Sequence, residues 1–188
     1  MGHLSTAIIK SADLLKAESD ALNESSSAFS DISSAGRQVI CSAALCASSC
    51  IRACGPRSLV TLPKLMKPLT SFLSAANMYL GIEGIDETEQ GQATLMQLSI
   101  LRSIIAVTET LPQFLAPYLN DLLNPFALPS CYLRRDVDDQ TVLVKNISES
   151  LDDILVSQVP ARVLIPAASN AVVTNHYDTA SLLSLLSS

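Results

Sequence analysis

Leu62-Pro63-Lys64-Leu65-Met66-Lys67-Pro68-Leu69 is the stretch on which the fold reading turns. It recurs as Leu111-Pro112-Gln113-Phe114-Leu115-Ala116-Pro117-Tyr118. It recurs more loosely as Val159-Pro160-Ala161-Arg162-Val163-Leu164-Ile165-Pro166. The first prolines lie 49 and 48 residues apart. A proline just after an apolar residue suits the first helical position, where its missing N–H costs nothing. The second proline is expected to bend the helix or break its first turn.

The sequence around each motif reads as helix. Leu59, Leu62, Met66, Leu69 and Leu73 step by three and four, with Leu65 and Phe72 widening the stripe. Upstream, Arg37 to Cys54 is rich in alanine and cysteine and stops at Gly55-Pro56. Leu95, Leu98, Leu101, Ile104, Ile105 and Val107 give residues 93–110 a wide apolar face. Further helices are expected over Pro112 to about Leu123, over 138–157, from Ala161 to Thr174 and from Thr179 to Leu186. Asn124 to Asp136 reads as a connector. At the front, Leu4, Ile8, Leu15 and Leu22 place a leading helix over 1–22, and a serine-rich loop is expected over 23–36. No segment carries a strong strand pattern.

The unit is therefore a helix, a tight turn and a Pro-marked helix, repeated every 48–49 residues. That lies close to the period of HEAT and armadillo repeats, about 40–47 residues. The expected fold is all-α: a HEAT/armadillo-like α-solenoid of about three helix pairs plus the leading helix. The pairs would fall at about 37–82, 83–130 and 131–188. A non-repeating helical bundle is the structural alternative.

The chain has 188 residues and a net charge of −6, which argues against a generic nucleic-acid binder. The charge is uneven. Between Ile32 and Ile82 there is no Asp or Glu, but there are Arg37, Arg52, Arg57, Lys64 and Lys67. Of these, Arg52, Arg57, Lys64 and Lys67 straddle one helix–helix turn and are the candidates for contact with RNA phosphates, the other reading being a solvated helix edge and turn.

Nothing in the sequence forms a catalytic constellation. The two histidines, His3 and His176, sit in no nucleophile or metal motif, and no glycine loop suits a phosphate. Adjacent carboxylates at Asp138-Asp139 and Asp152-Asp153 point about 100° apart on a helix. Helix-start and solvent-face roles are expected for them. Cys46, Cys50 and Cys54 share a helical face but cannot wrap one zinc tetrahedrally. Buried, reduced cysteines are expected. Neither a signal peptide nor a membrane span is expected, because no apolar run is long enough.

The strings Leu62–Leu73 (LPKLMKPLTSFL), Ala106–Leu123 (AVTETLPQFLAPYLNDLL) and Val159–Ala168 (VPARVLIPAA) carry a family resemblance. Over roughly residues 37–188 the chain resembles the C-terminal region of the HEAT repeat-containing protein 1 family. These are the U-three small nucleolar RNA-associated HEAT-repeat proteins of the small-subunit processome. The resemblance implies a fragment of a much longer helical stack. It implies scaffold work in nucleolar pre-rRNA processing toward small-subunit rRNA, and support of rRNA transcription. It implies processome proteins as partners, with contact to pre-rRNA or small nucleolar RNA. No enzyme activity, cofactor, membrane or small-molecule substrate is expected. The other reading is a generic armadillo-like interaction adaptor in transport or trafficking.

Overall fold

A computed structural model describes residues 2–24, 29, 32–82, 84–126 and 139–175. The described residues are all-helical. The elements are α1 (Gly2–Glu24), α2 (Ser34–Cys54), a 3-10 segment (Gly55–Thr61), α3 (Leu62–Leu80) and α4 (Glu87–Thr110). Two 3-10 turns (Pro112–Phe114 and Ala116–Tyr118) lead into α5 (Leu119–Phe126), followed by α6 (Asp139–Gln158) and α7 (Ala161–Asn175). The expected helix over 179–186, Cys131 and most of the 124–136 connector lie outside the described residues.

Local chemistry sets several boundaries. Ser33 caps α2, its hydroxyl accepting the Gly36 N–H at 3.1 Å. The helix thus begins inside the stretch read as loop. Gly55, at φ 57°, ends it in a conformation few side chains adopt, and Pro56 follows. Asp86 caps α4, and Glu87 and Glu89 in its first turn suit the helix dipole.

The three proline motifs do not fold alike. Pro68 lies inside α3 and Pro166 inside α7, and both helices run through them. Pro117 does break the helix, so α5 starts seven residues later than Pro112. Burial explains the contrast between the first two. Around Pro68, Leu62, Leu65, Met66, Leu69, Phe72 and Leu73 are all buried and hold the helix despite the lost hydrogen bond. Across 112–118 only Leu115 is buried, so little packing opposes the break.

Packing follows a regular order. Helix α1 lies against α2 and α3, α2 against α4, α3 against α4 and α5, α4 against α6, and α5 against α7. The repeat motif suggests α2 and α3 as a pair, yet α2 packs chiefly on α1 and α4. The 3-10 segment that joins the two helices contacts α1, α2 and α3.

Helix α4 is the centre. From Ala93 to Thr108 only Leu95 and Arg102 reach solvent. Small residues bring α2 close to it: Ala43, Ala44, Ala47 and Ser48 are buried on α2. The Ser103 hydroxyl shares its hydrogen between Ala44 O at 2.6 Å and its own helix's Ser99 O at 3.0 Å. On the α3 side, Gln97 Nε2 donates to Asn77 Oδ1 at 2.9 Å, both residues being buried. Each buried amide gains a partner there and avoids the cost of desolvation without one.

The serine-rich stretch is not purely a loop. Phe29 within it is fully buried. Its ring sits 4.6 Å from that of Tyr79, and the Arg37 guanidinium lies over it at 4.1 Å. Arg37 also donates to Gln92 Oε1 at 2.8 Å and to Phe29 O at 3.3 Å. Tyr79 completes the cluster by donating to Glu89, a bond that raises the phenol pKa above its usual value.

The stretch Ser34–Leu80 contains one 18-residue window apolar enough to cross a membrane by length and composition, with mean hydropathy 1.4 and 44% of it buried in this fold. The expectation of no span rested on uninterrupted apolar runs. Interspersed Ala, Cys and Ser escape that criterion but keep the mean hydropathy high.

Candidate interaction surfaces

The four basic candidates occupy three places. Arg52, in the last turn of α2, sends Nε and Nη2 to Glu109 Oε2 of α4 at 3.2 and 3.0 Å. Lys64, in the first turn of α3, reaches Asp13 Oδ1 of α1 at 3.0 Å. Arg57 lies exposed on the 3-10 segment between them. Lys67 is exposed and lines a cavity of about 200 Å³ with Lys16, Ser19, Asp20 and Lys64.

The stretch without acids in sequence is therefore not a surface without acids. Asp13 and Glu109 come from helices outside it and face two of the four cations. Both pairs are about half exposed, at 52% and 44% for Arg52–Glu109 and 52% and 55% for Lys64–Asp13. Such exposed pairs contribute roughly 0–1 kcal/mol. A phosphate can compete for these cations, but it meets less net positive charge than the sequence count suggests. The fifth cation, Arg37, is only 6% exposed and belongs to the core.

A second feature had no sequence forecast. An open groove of about 580 Å³ runs between α1 and α2. Ser11 and Leu14 line it from α1; Ala35, Val39, Ser42 and Cys46 line it from α2. No charged side chain lines it. Leu14 and Val39 remain 50% and 39% exposed. The signal in sequence is the absence of any charged residue from Gln38 to Ile51. Helical periodicity alone did not say which side of α2 would stay uncovered.

The cysteines divide by face. Cys41 and Cys50 are buried as expected, Cys54 is intermediate, and Cys46 is exposed in the groove. Burial pushes the Cys41 and Cys50 thiols above their usual range, and for Cys50 the neighbouring Cys46 adds to the shift. A raised thiol pKa lowers the thiolate fraction of Cys41 and Cys50. Among the described residues no group of three or more His, Cys, Asp or Glu side chains converges to hold a metal ion.

Asp152 departs from the solvent-face role expected of the Asp152-Asp153 pair. Partial burial on α6, followed by the Asp153 and Glu149 charges, raises its pKa to about 7. The proton is bound more tightly in the folded than in the unfolded chain. Stability is therefore expected to fall as pH rises from about 3.8 to about 7 and then to level off. Replacing Asp152 with Asn removes the charge. The variant is expected to gain on the order of 2 kcal/mol at pH 8, a value reduced for partial solvation, and almost nothing at pH 4. Urea denaturation at the two pH values measures this. An equal gain at both would show that charge is not the cause.

Comparison of the chain with protein-family models, with curated proteins and with solved structures finds no match.

Proposed function

We propose that the chain is a non-catalytic helical-repeat scaffold acting in nucleolar ribosome biogenesis, in pre-rRNA processing toward small-subunit rRNA and in support of rRNA transcription. The observation that carries the architectural half of this reading is the order of helix contacts. Helices two apart in the chain meet, so α1, α3, α5 and α7 run in one series and α2, α4 and α6 in another, and the series are joined mainly where α1 meets α2, α3 meets α4 and α6 meets α7. The two parallel series support a HEAT/armadillo-like α-solenoid, in which repeats contact only their neighbours, although the helices that pack are α1 with α2 and α3 with α4 and not the expected pairs. The resemblance of the three proline strings to the HEAT repeat-containing protein 1 family supplies the cellular half.

In this reading the chain works by display. Processome proteins bind the faces of the stack, and pre-rRNA or small nucleolar RNA phosphates meet Arg52, Arg57, Lys64 and Lys67. For Arg52 and Lys64, phosphate contact means exchange with Glu109 and Asp13. Those two carboxylates are the observation that favours the second reading, an armadillo-like adaptor in transport or trafficking that binds proteins alone.

The test is localisation of the tagged chain, with mass spectrometry and RNA analysis of what it captures from nuclear extract. Nucleolar signal with processome subunits and the small nucleolar RNA is expected. Cytoplasmic signal with transport cargo would replace this reading by the adaptor. For the basic residues, a fourfold alanine variant is expected to lose RNA crosslinking, and unchanged crosslinking would remove RNA contact from the proposal.

A further inference from the structure

We propose that the cavity between α1 and α3 is a binding site for inorganic phosphate. The inference stands apart from the ribosome-biogenesis reading, in which Lys64 and Lys67 meet RNA. The cavity measures about 200 Å³. Lys16, Ser19 and Asp20 line it from α1, and Lys64 and Lys67 line it from α3. Lys16 and Asp20 stand one turn apart on α1, as Lys64 and Lys67 do on α3, so each helix presents both of its charged groups to the same space.

Three ammonium groups therefore border one small cavity. Like charges around so small a space repel one another, and an anion among them reverses the sign of the interaction. Pairing within the fold leaves most of this charge available. Lys64 meets Asp13 at 3.0 Å. Among the described residues, Lys16 and Lys67 form no ion pair. Each lysine has three N–H donors and no acceptor, so even Lys64 keeps hydrogens beyond the one aimed at Asp13. Ser19, only 3% exposed, adds a hydroxyl from the wall.

Size and polarity narrow the anion. Pockets for cofactors and drug-sized ligands run to about 300–1,000 Å³, so this cavity takes a smaller guest. Asp20 then selects among the small oxyanions. Its carboxylate only accepts hydrogen bonds, and it repels an anion that brings no hydrogen. Inorganic phosphate keeps at least one P–OH near neutral pH and donates it to Asp20. Sulfate keeps none. A phosphomonoester, with a second pKa of about 6, has lost most of its own at pH 7. An RNA phosphodiester has none to give. Three ammonium donors, a buried hydroxyl and one carboxylate acceptor thus match inorganic phosphate, held by charge-assisted hydrogen bonds.

The experiment is isothermal titration of the full chain with potassium phosphate near neutral pH, at an ionic strength fixed with potassium chloride. Binding is expected one to one, with a Kd of about 0.1–1 mM. Sulfate is expected to bind at least about tenfold more weakly. Lys16 and Lys67 are exposed, so replacing them is not expected to disturb the fold, which circular dichroism checks. Lys16→Gln and Lys67→Gln are each expected to weaken phosphate binding about tenfold, through loss of one charge-assisted hydrogen bond. Asp20→Asn is expected to narrow the gap between phosphate and sulfate to about threefold or less. On a merely basic surface that substitution would strengthen both anions alike. A short oligoribonucleotide with hydroxyl ends is expected to leave phosphate binding unchanged. Displacement of phosphate by it would assign the cavity to RNA and overturn this proposal, while leaving the ribosome-biogenesis reading standing. Sulfate binding as tight as phosphate, no saturation up to about 10 mM, or lysine variants that bind like wild type would also overturn it.

Discussion

Phe72→Ala is expected to lower the stability of the folded chain by about 3–5 kcal/mol, the largest single effect foreseen here. Phe72 sits on α3 with no exposed surface. It continues the stripe begun by Leu62, Leu65 and Leu69, which is buried along the whole helix. Removing the ring sacrifices its transfer free energy and leaves a void that surrounding helices fill only in part. Domains of this size are stable by only about 5–15 kcal/mol, so the variant would stand near the edge of folding. Met78 on the same helix provides the control, being 68% exposed. Met78→Ala is expected to change stability by no more than about 0.5 kcal/mol. Urea denaturation of both variants decides the matter. Equal midpoints would mean that the α3 stripe does not face the core.

Arg37→Ala should come second, at about 3 kcal/mol, although Arg37 and Arg52 look alike in sequence. The guanidinium of Arg37 covers the Phe29 ring and binds the Phe29 carbonyl and Gln92. A desolvated cation over an aromatic ring contributes up to about 2 kcal/mol, and the hydrogen bonds to a charged donor add to it. The alanine also leaves the Phe29 carbonyl and the Gln92 side chain without this donor. Arg52 is half exposed, and its pair with Glu109 sits in water. Arg52→Ala is expected to cost under about 1 kcal/mol, less at high salt. Thermal denaturation of the two variants at low and high salt separates these roles. A salt-sensitive Arg37→Ala effect of the same size as that of Arg52→Ala would sink the assignment of Arg37 to the core.

These two arginines show where reading from sequence stops. Both lie in the acid-free stretch from Ile32 to Ile82, and their own neighbours do not distinguish them. What distinguishes them is remote. Arg37 meets Gln92, 55 residues on, while Arg52 meets Glu109, 57 residues on. Lys64 meets Asp13, 51 residues back. Charge counted along the chain could not anticipate a carboxylate delivered by another helix. The same holds for Phe29, which serine-rich composition assigned to a loop.

The helices themselves were legible because their signals are local. Apolar steps of three and four, the Gly55-Pro56 stop and the helical pattern after Asp138-Asp139 act within one or two turns of backbone. The sequence by itself therefore determined an all-α chain and most of its helix positions. Tertiary structure decided whether a given proline breaks its helix, since Pro68 survives among buried leucines while Pro117, in a mostly uncovered stretch, does not. It decided that α2 lies on α1 and α4, that Asp152 is partly buried, and that a groove beside Val39 stays open. Each of these depends on which surfaces meet across tens of residues, and a helical period fixes a face without naming its partner.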